Sequence, residues 1–595
     1  MPGRGRGGKG GKGGNHGVVK SATGNGIVAA PAVTELPTSL HISPSLFAIP
    51  PQIVSTFVEF RKPQSFFSIL ERLQPEFGGS SEHRDRCWLG MNEGDIESIT
   101  HDVGFYATIQ TKDKQEHQVF VKRIHLLDPV SAMEGKYVWP EDGSLPAPSD
   151  LWKTALAKVN DPLNEAYVDA LFAMIAHRLV SSNLSPHWCR CFGTFSARAE
   201  KYLYNITDEY NSMRNEPWWR RNQRLGLFRL HTDTENEVAA TQFLTEGLAP
   251  IDIGDFENID SEHTDVGKES EVSEMEPEIS PTEAKPFVLT APKLRLKRIA
   301  PSDASSSTSD EEEDSDDESE IEQYVEFDNF PVQVTLLERA EGTLEDLLEA
   351  EDEDMLETKE QRWTAWLFQI IAALSAAQHF FGFVHNDLHS NNVMWSGTGV
   401  THIYYRVHKG KESWILKVPT YGRIMKIIDF GRASFHLPDP AGFFISDAFF
   451  PGNDAATQYN CEPFYDPTEG KKVEPNPSFD LCRLSVSMIE TLFEERPANA
   501  TPVKIMTREG GKMYAETISP VYNMLWEWLQ DDEGKNVLRL PDGEERYPDF
   551  DLYRVLAAEV HKAVPKRQME RALFKEFRCA EKDLPDGEPI YDLYI

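Results

Sequence analysis

The sequence predicts an α+β fold, with a β-rich part first and a larger helical part after it, broken by long polar insertions. Three observations carry this. Residues 96–124 hold alternating apolar and polar runs split by a polar turn at 111–118, the period-two pattern of half-buried strands. Residues 366–384 place Leu367, Ile370, Ile371, Leu374 and Phe381 at helical spacing. Residues 302–320 are a Ser/Asp/Glu tract with too little apolar surface to pack.

The 595 residues are enough for two to four domains, and at 40% hydrophobic they can bury a substantial core. A net charge of −37, from 60 Lys and Arg against 97 Asp and Glu, argues against broad binding to nucleic acid or to an anionic membrane. Six cysteines in this length make no disulfide framework, and Cys189-x-Cys191 lacks zinc-knuckle spacing. Both are expected in the core, in a reducing, intracellular compartment, cytoplasmic or nuclear. The basic N-terminus is not followed by the apolar core of a secretory signal. No run reaches the roughly 18 apolar residues of a membrane span, since 366–384 includes Gln369, Ser375, Gln378 and His379.

Taken in order, residues 1–35 are a Gly-rich tail with scattered Arg and Lys, expected to be disordered and to offer nucleic acid only a weak, unspecific contact. Residues 36–85 form an N-terminal extension. In the strands that follow, Val119-Phe120-Val121-Lys122 sets a lysine among apolar residues. Residues 125–160 hold Pro129, Pro140, Pro146 and Pro148 and read as an insertion. A helix should start after Asp161-Pro162, with Glu165 and Asp169 one turn apart on one side. Residues 185–195 read as a strand. A further insertion runs over about 196–325; Trp218 to Arg221 fall in a part of it expected to be ordered, and 302–320 in a part expected to be disordered. Lys293 to Arg298 is a short basic run, and Ser309 and Ser315 precede acidic residues as acid-directed phosphorylation sites do. Residues 330–337 are an apolar strand. A hairpin is expected at 402–418, and a buried helix near Ser478-Phe479-Asp480-Leu481-Cys482-Arg483.

The most informative stretch is 381–434. It contains His385-Asn386-Asp387-Leu388-His389-Ser390-Asn391-Asn392 and then, behind an apolar strand, Asp429-Phe430-Gly431. Asn392 and Asp429 offer hard oxygen atoms, which suit Mg2+. Asp387 is placed to accept or orient a hydroxyl proton. His385, Asp387 and His389 alternate as zinc ligands on a strand would, but that reading leaves Asn392 and Asp429 without a purpose.

The pattern His-x-Asp-x-x-x-x-Asn followed by Asp-Phe-Gly resembles the protein-kinase superfamily. HNDLHSNNVMW, VPTYGRIMKIIDFGRA, NPSFDLCRL and PDFDLYRVLAAEVHKAVP add a likeness to kinases of giant DNA viruses, covering most of 87–565 with large interruptions. The resemblance implies a bilobal fold, with a small N-lobe over 86–338, a helical C-lobe over 339–565 and a tail at 566–595. It implies ATP and Mg2+ as cofactors and a protein substrate. Asp387 would be catalytic, with Lys122 on the phosphates and Asn392 and Asp429 on the metal. Lys122 would pair with an acidic residue of the next helix. The viral pattern favours Asp169 and side-chain reach favours Glu165. Leu337 would stand as gatekeeper before a hinge whose backbone near Glu338 and Ala340 bonds the adenine edge. Asp480 would hold the backbone of the catalytic loop.

The sequence departs from the family in several places. The Gly-x-Gly-x-x-Gly loop is missing, with only Gly104 nearby; Asn386 stands where an Arg is common; His389 replaces the usual lysine. Three functions follow: an active protein kinase, with Ser/Thr favoured; a pseudokinase scaffold; and a small-molecule phosphotransferase of the aminoglycoside or choline kinase kind. The Asn386 position further implies activity without phosphorylation of the segment after Gly431, because a neutral amide offers a phosphate no charge.

Overall fold

An antiparallel ribbon of two long strands carries the main sheet. The computed structural model describes residues 96–139, 150–233, 296–298, 322–350 and 356–595, apart from 104, 438–440, 454, 469, 549 and 586, with short pieces between 49 and 70. The Gly-rich tail, most of 36–85, Gly104, the acidic stretch after Asp233 and the tract at 302–320 with Ser309 and Ser315 lie outside the described residues.

In chain order the strands of this sheet are β1 (Phe60–Gln64), β2 (Ile96–Val103), β3 (Tyr106–Thr111), β4 (Glu116–His125), β5 (Cys191–Asn205), β6 (Arg229–Asp233), β7 (Leu296–Arg298) and β8 (Gln323–Glu338). They are ordered β1-β5-β8-β4-β3-β2, with β6 on β8 and β7 on β6. The β5–β8 ladder runs from Cys191 opposite Leu337 to Asn205 opposite Tyr324. The strand expected at 185–195 therefore begins later and continues ten residues further. Its partner starts at Gln323 rather than 330, because each strand supplies the other's backbone bonds along the whole ribbon. Two short helices, Thr207–Met213 and Pro217–Arg224, follow β5, and Trp219 is buried against Phe228 and Leu230. Of the basic run, residues 296–298 form β7, with Arg298 opposite His231.

One face of the sheet buries Val119, Val121, Phe195, Val332, Val334 and Leu336 under Val54, Phe57 and Phe60, so the described part of the N-terminal extension is its cover. Period-two alternation then turns Lys122 to the other face. On that face lies α2 (Glu165–Ser181), which follows α1 (Asp150–Asn160) in the chain. Asn164 caps α2, its side chain accepting from the Ala166 N–H. α2 is buried on almost every side from Ala166 to Ala176, since it is packed between the sheet and the helices that follow.

After β8 come β9 (Gly342–Thr343), α3 (Leu344–Glu349) and α4 (Leu356–Phe381). A capping box opens α3: Thr343 accepts from the Asp346 N–H and the Asp346 carboxylate accepts from the Thr343 N–H. α4 is the helix expected around 366–384. Two of its polar side chains bond the turn before β13 and its strand: Gln369 donates to the Arg423 carbonyl and accepts from the Met425 N–H, and Trp366 donates to the Thr420 carbonyl, while the Ser375 hydroxyl is buried without a partner. Gly382, at φ +56°, ends the helix and turns the chain into the 381–434 stretch.

There β10 (Val393–Gly397) pairs β13 (Arg423–Ile427), and between them β11 (His402–Lys409) and β12 (Glu412–Pro419) form the enlarged hairpin. The rest is β14 (Ser434–Leu437), β15 (Gly442–Ile445), α5 (Phe479–Leu492), β16 (Ile505–Glu509), β17 (Lys512–Ala515), α6 (Pro520–Trp528), α7 (Asp551–Glu559), β18 (Arg578–Cys579) and β19 (Ile590–Tyr594). The hairpin is not a free decoration: β18 pairs β12, and β19 lies parallel to β11. The C-terminal residues thus close a four-stranded sheet around it. Among the described residues no helix is long and apolar enough to cross a membrane.

Candidate active site

Lys122 comes from β4, Asp169 from α2 and Asp429 from the turn after β13, three elements far apart in sequence. The Lys122 ammonium lies 2.7 Å from Asp169 Oδ1 and 3.1 Å from Asp429 Oδ1. Asp169 Oδ1 also accepts from the Phe430 N–H at 2.7 Å, while its Oδ2 is buried without a partner. One cation thus serves two carboxylates in unequal surroundings. Asp169 is 1% exposed and Asp429 is 47% exposed. Burial pushes the Asp169 carboxyl above its usual range against the pull of Lys122. Burial pushes Asp429 the same way, but the Lys122 charge and hydrogen bond outweigh it and hold Asp429 below its usual range. Burial alone would lower the Lys122 ammonium, yet Asp169 and Asp429 hold it above its ordinary value.

Glu165 does not share this cluster. Its carboxylate sits 3.1 Å from His125 Nε2. The one-turn separation puts both acids on the same side of α2, but only the second reaches the strand lysine.

Asp387 lies in the loop between α4 and β10. The backbone around it is fixed from below by Asp480, the second residue of α5: the His385 N–H donates to both carboxylate oxygens at 3.1 and 3.0 Å, and the Asn386 N–H to Oδ1 at 3.0 Å. Burial lifts the Asp480 carboxyl to about 6, against the pull of His385 and the two N–H donors. The His385 ring bonds the Ile428 carbonyl at 2.8 Å, which ties this loop to the residue before Asp429. Asn386 and Asp429 hold φ of +66° and +64°, and non-glycine residues persist in that region where surrounding structure over-determines them.

Asn386 is wholly buried and neutral. Its amide donates to the Arg432 carbonyl at 2.9 Å and accepts from the Tyr459 hydroxyl at 2.9 Å, so it fastens the segment after Gly431 without any charge. His389, which stands where the family usually has a lysine, has its ring pKa lowered by burial and accepts from Asn392 Nδ2 at 3.1 Å. Asn392 Nδ2 also donates to the Asp387 carbonyl at 2.9 Å, so the atom Asn392 can offer a cation is Oδ1. The Asp387 carboxylate itself accepts from the Tyr553 hydroxyl at 2.9 Å and has Arg432 Nη1 at 3.5 Å from Oδ2. Tyr553 falls in the PDFDLYRVLAAEVHKAVP stretch, but nothing in that stretch assigned it a role.

Leu337 is buried at the end of β8, packed in the main core. The Glu338 N–H donates to the Arg190 carbonyl at 2.8 Å, so an adenine edge bonding Glu338 would have to use its carbonyl. The Glu338 carboxylate is 3.4 Å from the Lys426 ammonium. Ala340 follows in the turn before β9.

This donor set fits a magnesium nucleotide. Asp429 is a half-exposed carboxylate held toward its ionised form by Lys122, Asn392 adds an amide oxygen, and Lys122 supplies a positive charge. Mg2+ characteristically takes one or two protein oxygens and fills its octahedron with phosphates and water. Among the described residues no three or more His, Cys, Asp or Glu side chains converge as a metal cluster, so His385, Asp387 and His389 do not form the ligand set of the zinc alternative. Cavities of about 320, 310 and 600 Å3 among the described residues are lined by other residues.

Comparison with known proteins gives one family. No curated protein matches the chain. Residues 311–403, which include Asp387, Asn392 and the end of β8, match the phosphotransferase enzyme family, APH, of the protein-kinase-like superfamily.

Proposed function

We propose that this protein is an ATP- and Mg2+-dependent phosphotransferase acting on protein hydroxyls, with Ser/Thr favoured. The observation that carries the reading is the convergence of Lys122, Asp169 and Asp429 beside a loop in which Asp480 fixes the backbone under Asp387. A degenerate site would be expected to have lost a member of that set, which favours an enzyme over a pseudokinase scaffold. The sheet and the helical part would be the two lobes, 86–338 and 339–565, with the nucleotide between them.

Lys122, steadied by Asp169, would hold the nucleotide's phosphates. Asp429 and Asn392 would hold Mg2+, which neutralises charge on those phosphates. Asp387 would orient the acceptor hydroxyl and take its proton, and such positioning supplies most of the catalysis in phosphoryl transfer. Leu337, Glu338 and Ala340 would border the adenine. The polar insertions and the cysteine usage favour a cytoplasmic or nuclear place.

A second reading, transfer to a small alcohol, is favoured by the family that matches residues 311–403 and by His389. One experiment separates these readings. Mg-ATP is supplied with a mixed protein extract and, separately, with aminoglycosides and choline. We expect label on protein, lost in Asp387→Asn. Label on the alcohol supports the second reading, and label on neither supports the scaffold.

A further inference from the structure

We propose that Tyr553 and Arg483 form a relay that positions Asp387 for phosphoryl transfer. The proposal rests on the reading of Asp387 above and assigns two residues that the motif does not contain. Arg483 Nε lies 2.9 Å from the Tyr553 hydroxyl, and that hydroxyl lies 2.9 Å from Asp387 Oδ1. The direction of both bonds is fixed by chemistry. A guanidinium cannot accept and an ionised carboxylate cannot donate. Arg483 therefore donates to the phenol oxygen, and the phenol spends its only proton on Asp387.

The parts of the relay are set by the same helix that holds the loop. Asp480 and Arg483 are three residues apart on α5, hence neighbours on one face. Asp480 takes the loop's backbone and Arg483 governs its side chain. The Tyr553 ring stacks on Phe550 with centroids 5.0 Å apart and planes within 2°, and meets Phe479 at 5.9 Å. Arg483 also lies over that ring, 5.3 Å from its centroid. A ring held on these sides leaves its hydroxyl little freedom. Burial and the Asp387 charge together push the phenol above its usual range. Asp387 otherwise has Arg432 at 3.5 Å, from the segment after Gly431. The relay thus brings positive charge and a directed donor to the carboxylate from a helix remote in sequence, where the loop itself supplies neither.

The test uses the full chain and Mg-ATP, with water and a mixed protein extract as acceptors. Tyr553→Phe keeps the ring and removes the hydroxyl. We expect kcat to fall about tenfold to a hundredfold, the range for losing a hydrogen bond to a charged group, with KM for ATP unchanged. Arg483→Met should fall by less. The double variant should be no slower than Tyr553→Phe, because the two act as one unit. A residue needed only for folding would not give that split or that non-additivity. As a readout besides turnover, 3-fluorotyrosine at position 553 is titrated by 19F NMR, and its phenol pKa should fall in Asp387→Asn. Additive losses, unchanged kcat in Tyr553→Phe, or an unchanged titration would overturn the relay. Faster turnover in Tyr553→Phe would also overturn it and make the hydroxyl a gate in the acceptor's place. Turnover that survives Asp387→Asn would instead overturn the reading of the site itself, and the relay with it.

Discussion

The two carboxylates that flank the proposed reaction differ in how they are held. Asp169 is buried, shares its cation with Asp429, and takes part in holding β4, α2 and the Asp-Phe-Gly turn together. Asp387 is 23% exposed, and its side chain is met by Tyr553 and Arg432 on a loop whose shape is fixed by backbone bonds instead. In the proposed reading the first would be both a structural and a chemical group. The second would be chiefly chemical, since an amide at this position can still accept from the Tyr553 hydroxyl and Arg432 is partly exposed. Charged groups cost stability when lost only where burial has made them interdependent.

That comparison can be broken by variants. Asp387→Asn should cut phosphoryl transfer by orders of magnitude while Mg-ATP binding and the denaturation midpoint stay close to wild type. Lys122→Met should cost activity on a similar scale, but also about 3–5 kcal/mol in chemical unfolding, because Asp169 and Asp429 are left facing each other without their cation. Equal stability for the two variants would erase the distinction.

Asp169→Ala and Glu165→Ala sharpen it within one helix. The first should resemble Lys122→Met in turnover. The second removes only a partly exposed contact with His125 and should change stability by less than about 1 kcal/mol, with turnover within about threefold. Parallel turnover measurements suffice, and a large loss in Glu165→Ala would contradict the geometry.

The smallest effect is a pH dependence at Asp447, in the segment after Gly431. Its carboxylate accepts from the Glu165 N–H at 3.0 Å and pairs with Lys158, so it pins this segment to the start of α2 and the end of α1. Burial lifts its carboxyl to about 6 against the pull of Lys158. A carboxyl raised on folding adds stability below its unfolded pKa, near 4, and loses it as pH rises through about 6. Asp447→Asn does not titrate. Its stability relative to wild type should therefore improve as pH rises from about 4 to 7, by at most about 1.4 kcal/mol for each unit that the pKa is raised. Urea melts at several pH values read this directly, and a difference independent of pH would refute it.

The sequence by itself determined the local pieces. Alternation marked β3 and β4 and turned Lys122 away from Val119 and Val121. Helical spacing marked α4, and the motif residues His385 to Asn392 and Asp429 to Gly431 stood in the order phosphoryl transfer uses. These are short-range properties, written in periods of two and 3.6 and in fixed spacings. Only the tertiary structure decided that Asp169 and not Glu165 meets Lys122, since that depends on how α2 is rotated between the sheet and the helices. Only it decided how far β5 and β8 extend, because ladder length is set by a partner more than a hundred residues away. The hairpin of β11 and β12 was legible, but its cover by β18 and β19 was not. Tyr553 lay in a quoted stretch, but its contact was not legible for the same reason: its hydroxyl reaches Asp387 across 166 residues of chain, and no local pattern encodes a contact made by packing α7 against α5.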